Sequence, residues 1–148
     1  MKTTKKSTKK IAEFTPFNSL EESRALEFIE ENNFSCPEKV LALCLEDNLT
    51  TDDLDSITEN NNIIEIGNRE WLVVTDEEGD ELWDEYLDSF IDSCIIDEIP
   101  KHYRNYFDCE KFKQDCKYDG RAHSLAGYDG RESTQNVNGI TYYIYRTN

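Results

Sequence analysis

Residues 76–98 hold eleven Asp and Glu side chains in 23 positions and no Lys or Arg. A segment so charged folds only if its apolar residues share one face. They do: Trp83, Tyr86, Leu87, Phe90, Ile91, Cys94 and Ile95 recur at the i, i+3, i+4, i+7 spacing of a helix with one buried stripe. At 100° per residue, Glu77, Glu78, Glu81, Asp84, Glu85, Asp88 and Asp92 gather on the other side. These carboxylates spread over about 22 Å of helix. The density is about one charge every 3 Å, close to the roughly 3.4 Å per phosphate of one DNA strand. The pattern predicts an amphipathic helix presenting an anionic ridge, held by burial of Trp83, Tyr86, Phe90 and Ile91.

The ridge also has a cost. Like charges at Glu81/Glu85, Asp84/Asp88 and Asp88/Asp92 each destabilise a helix by about 0.2–0.5 kcal/mol, and solvent faces ordinarily mix both signs. This one forgoes cations entirely, so a role outside stability is expected of it. Net charge over the chain is −16, and Lys2, Lys5, Lys6, Lys9 and Lys10 concentrate the basic residues at the start. The remainder repels nucleic acids and anionic membranes and attracts basic proteins.

Residues 1–12 read as a disordered basic arm, 13–60 as a helical subdomain and 61–148 as an acidic α+β domain. Within 18–57 three short helices are expected. Ser19 with Glu22 and Ser35 with Glu38 form capping boxes, Pro37 sits in a first turn, and Thr50 or Thr51 caps a helix containing Leu54 and Ile57. Asn60, Asn61 and Asn62 mark a loop. Ile63–Ile66 and Arg69–Val74 flank Gly67-Asn68 as a β-hairpin. Thr75 with Glu78 caps the acidic helix, and Pro100 ends it. Asp108 caps a helix over roughly 109–117, with Phe107 and Phe112 as a hydrophobic staple, and Gly120 closes it. Strands follow around Asp129-Gly130 and Asn138-Gly139, ending in Ile140–Tyr145. Helices and antiparallel strands alternate irregularly, so the fold class is α+β.

Little catalytic chemistry is written in the chain. There is no Gly-rich phosphate loop and no nucleophile elbow. The acids at 52, 53 and 55 lack the glycine and terminal ligand of a calcium loop. Five cysteines without a secretory signal point to reduced, buried thiols and a cytoplasmic protein. Cys109, Cys116, His102 and His123 match no zinc spacing, and neither histidine has an identifiable nucleophile beside it. Tyr142, Tyr143 and Tyr145 lack the basic groove that base stacking needs. No metal, cofactor or catalytic residue is assigned, and no run of apolar residues is long enough for a membrane helix.

Residues 104–115, with Asn105, Tyr106, Phe107, Asp108, Glu110, Phe112 and Asp115, resemble the N-Y-F-D-x-E-x-F-x-R-D stretch of the ArdA anti-restriction family. The LVVTDEE segment at 72–78 and the acidic helix are similar in kind, so the resemblance covers about residues 70–120. It implies an elongated, largely dimeric mimic of B-form DNA that blocks type I restriction–modification enzymes. The expected function is a non-enzymatic anti-defence inhibitor occupying the basic DNA site of a nuclease, methyltransferase or CRISPR effector, without itself binding nucleic acid. The expected contact residues are Asp76, Glu77, Glu78, Asp80, Glu81, Asp84, Glu85, Asp88, Asp92, Asp108, Glu110 and Asp115. The alternative is a protein-binding module using an apolar surface of the helices at 18–57.

Overall fold

A computed structural model describes residues 14–148; the basic arm expected at 1–12 lies outside them. Five antiparallel strands form one sheet in the order β1-β2-β3-β5-β4, with β1 Ile57–Asn60, β2 Ile63–Ile66, β3 Arg69–Thr75, β4 Ser133–Val137 and β5 Ile140–Arg146. The class is α+β. Helices α1 (Glu22–Glu30) and α2 (Pro37–Glu46) precede the sheet. Helices α3 (Asp76–Phe90), α4 (Cys109–Lys117) and α5 (Arg121–Leu125) come between β3 and β4.

Period-2 alternation distributes the core. Ile64, Ile66, Trp71, Val73, Tyr142 and Ile144 face one way, into a cluster with Phe17, Leu26, Ile29 and the Val40–Cys44 run of α2. Leu72, Val74 and Tyr145 face the other way, against Ala126 and the half-buried Leu82, Ala122 and Leu125. Central strand β3 is therefore apolar at four consecutive positions, Trp71 to Val74, because helices cover both faces. The first cluster crosses the 60/61 boundary expected between subdomains. Ala25, Leu26 and Ile29 of α1 and Val40 and Leu41 of α2 are buried in it, which takes them out of any exposed apolar surface of the helices at 18–57.

The turns form where local chemistry directs them. Gly67 (φ +61°) supplies the positive φ of the β2–β3 hairpin, and Asn138 and Gly139 (φ +54° and +81°) make the β4–β5 turn. Thr75 accepts from the Glu78 backbone N–H while the Glu78 carboxylate accepts from Thr75 N–H, completing the box at α3. Asp108 accepts from Lys111 N–H at α4, and the Phe107 and Phe112 rings lie 5.6 Å apart.

Several local expectations give way to longer-range contacts. Ser19 Oγ donates to the Pro16 carbonyl instead of capping α1. At α2, Glu59 of β1 accepts from Ser35 N–H (2.6 Å) and Cys36 N–H (2.9 Å), replacing the expected Ser35 box. Thr50 does box with Asp53, but over the short 3₁₀ turn Thr51–Ser56, and Ile57 opens a strand. Asn61-Asn62 is the two-residue turn joining β1 to β2. Residues 121–125 are helical, so no strand precedes Asp129-Gly130. Cys44 is buried, yet Cys94 and Cys109 are exposed, against the expectation for all five. No helix among the described residues is long and apolar enough to cross a membrane.

Candidate interaction surface

Helix α3 continues through a wide turn at Ile91–Ile95 and a 3₁₀ turn at Ile96–Glu98 before Pro100. Its buried contacts are Gly79, Leu87 and Ile91, a narrower stripe than the spacing implied. Trp83 is half-buried and its indole N–H donates to Ser124 Oγ (3.0 Å). Tyr86, Phe90 and Cys94, expected to be buried, are exposed. They lie at the margin of the contact, where Phe90 stacks on Phe112 of α4 with ring centroids 6.2 Å apart.

The ridge is divided into two files. In the first, Asp76 and Asp80 both reach the Arg121 guanidinium at 2.9 Å. Asp84 and Asp88 meet Lys113 Nζ at 3.2 and 3.0 Å, and Lys117 also reaches Asp84 at 3.2 Å. Glu78, on the opposite flank, is held by Lys39 of α2 at 2.8 Å. The expected absence of cationic partners is thus corrected: tertiary packing brings them from α2, α4 and α5. The sequence concealed this because it places the cations far from the acids along the chain.

In the second file, Glu77, Glu81 and Glu85 are exposed and form no ion pair with a described residue; Asp92 extends it. Residues four apart rise about 6 Å along a helix. The free file therefore spaces its charges at about twice the separation that all seven carboxylates implied.

Arg121 ties the first file to the sheet. Its Nε donates to Tyr145 Oη (2.8 Å), which donates in turn to Glu132 (2.6 Å). The guanidinium also donates to the Asp76 carbonyl and lies over the Tyr143 ring at 4.7 Å. Burial raises the Tyr145 phenol, and Glu132 adds to that rise. Hydrogen bonds from Lys113, then Lys117, hold the Asp84 carboxyl below the usual range. At Glu78, burial pulls upward but is outweighed by Lys39 and the Thr75 N–H, so the carboxyl ends below its ordinary value. Lys113 and Arg121 are shielded by packing, while the carboxylates that meet them stay half-exposed or more. Asp76, Asp80, Asp84 and Asp88 are thereby tied to internal cations. Arg121 had no motif to mark it, but Gly79 was a signal: a lone glycine inside a helix of better formers points to close packing.

No family model, curated protein or solved structure matches this chain.

The acids singled out by the family resemblance have internal partners. Asp108 caps α4, Asp115 pairs with Lys111 (2.8 Å), and Glu110 lies 3.6 Å from Lys113. Tyr106 is 82 % exposed. His123 shares a cavity of about 260 Å³ with Cys116 and Asp119. Burial, then Asp119, pushes the Cys116 thiol up, away from the thiolate a nucleophile requires. His102 packs against Tyr103, ring centroids 4.4 Å apart.

Proposed function

We propose that this chain is a non-enzymatic anti-defence protein of phage or plasmid type. It acts in the bacterial cytoplasm by laying a carboxylate file in the Lys/Arg-lined DNA site of a restriction–modification or CRISPR effector. The observation that carries this reading is the division of α3: one acidic file bound by internal cations, the adjacent Glu77, Glu81 and Glu85 exposed without them. The first file fixes the helix; the second is free to take charges from outside. At about 6 Å per step the free carboxylates keep step with alternate phosphates of a strand rising about 3.4 Å each. The resemblance to ArdA over residues 70–120 makes type I enzymes the first targets to try.

The mechanism is competitive, and it is electrostatic. Attraction between exposed charges is screened over about 8 Å at physiological ionic strength, so inhibition weakens as salt rises. The test is displacement of labelled DNA from purified type I and Cas effectors at low and physiological salt. Wild-type protein displaces DNA in a salt-sensitive manner; the triple variant E77Q/E81Q/E85Q does not. Undiminished displacement by the folded triple variant overturns the proposal.

A further inference from the structure

On the sheet face opposite α1 and α2, Ile63, Leu72, Leu82, Tyr86 and Leu125 line an open apolar groove of about 480 Å³. Tyr86 is 44 % exposed at its edge, and tyrosine is a favoured anchor at protein interfaces. Glu85 belongs to the same lining. At 100° per residue, Glu77 and Glu81 lie between the groove side of α3 and the cation-bound file. An apolar recess thus runs beside a file of carboxylates without described counter-ions.

We infer that this groove takes one aliphatic or aromatic side chain from a lysine- or arginine-flanked segment of a protein partner. Charge complementarity selects that occupant. The apolar side chain fills the recess while its basic neighbours meet Glu85, Glu81 and Glu77. The acidic body of a second copy brings the same sign of charge and is repelled; the lysine-rich first ten residues are distinguished by the peptide test. The inference rests on the reading of the free file as a docking surface, and it adds selectivity. Charge alone attracts any basic surface, whereas an apolar anchor beside it distinguishes one basic protein from another.

The test uses short lysine-rich peptides with glycine, leucine or tryptophan at the centre, titrated by fluorescence anisotropy against the full chain. Burying the central side chain is expected to tighten binding tenfold or more over glycine. Ser89, exposed on the groove lining, allows Ser89→Trp to fill the recess without disturbing the core; this variant loses the preference but keeps the salt dependence. E77Q/E81Q/E85Q does the reverse. Peptides that bind equally well whatever their central residue overturn the groove inference and leave the charge reading standing. A leucine preference with no salt dependence overturns the electrostatic part of both. Tighter peptide binding by Ile11→Asp would make the chain's own basic N-terminal segment the occupant, and a fall in sedimenting mass on Ser89→Trp would make it a second copy. Either result overturns the proposed partner.

Discussion

The Arg121 guanidinium lies directly on Gly79, so close that a β-carbon there would stand 2.9 Å from Cζ and 3.0 Å from a terminal nitrogen. A flexible arginine ordinarily moves aside. This one is held by Tyr145, Asp76 and Asp80 and is buried. Gly79→Ala gains about 1 kcal/mol of helix propensity but forces the guanidinium out of that network. Overpacking costs about 1–3 kcal/mol, and lost charge-assisted hydrogen bonds add to it. The expected net result is destabilisation, read as a lower urea midpoint. A rise in the midpoint would show that Arg121 yields freely.

The entry to α2 is held by a strand. Glu59 receives both Ser35 N–H and Cys36 N–H, the two residues that lead into the helix, so Glu59→Ala should cost about 0.5–1.5 kcal/mol, as loss of a hydrogen-bond acceptor does. Ser35→Ala should leave stability within about 0.5 kcal/mol of wild type. Urea unfolding of the pair checks this, and the reverse ranking would restore the local capping box.

Glu78 makes acid stability informative. Its folded carboxyl lies below the ordinary 4.5, so between the two values the unfolded state binds more protons and stability rises with pH. The contribution is full above the ordinary value and is lost as pH falls through the lowered one. Glu78→Gln keeps an oxygen to accept from Thr75 N–H but removes the charge facing Lys39. The stability gap between wild type and Glu78→Gln should be constant above about pH 5 and narrow as pH falls below the ordinary carboxylate value. A gap independent of pH over that range would rule out the Lys39 pairing as its source.

Neutralising the free file should separate binding from folding. In E77Q/E81Q/E85Q, two i, i+4 repulsions of about 0.2–0.5 kcal/mol each disappear. Glu77 in the first turn also gives up a favourable interaction of about 0.3–1 kcal/mol with the helix dipole. These nearly cancel, so stability stays within about 0.5 kcal/mol of wild type while affinity for a basic site falls. Asp84→Lys with Asp88→Lys is expected to behave differently, setting new cations against buried Lys113 and lowering stability itself. Circular dichroism melts alongside DNA-displacement assays distinguish the two sets.

Sequence alone determined what is settled within three or four residues: the Thr75–Glu78 box, the Asp108 cap with its Phe107–Phe112 staple, and the hairpins at Gly67-Asn68 and Asn138-Gly139. Hydrogen bonds and φ preferences of that range need no distant partner, so they are legible in the order of residues. The acidic helix was legible for the same reason, through its spacing. Only tertiary structure decided which carboxylates remain free. Arg121 lies 41 residues from Asp80, Lys113 25 from Asp88 and Lys39 39 from Glu78, and periodicity carries no information over such separations. It likewise decided that the strand residue Glu59, 24 residues from Ser35, holds the segment entering α2, and that Tyr86 stands at the edge of a groove. Helical spacing specifies which residues share a side; what meets that side is set by the packing of elements far apart in the chain.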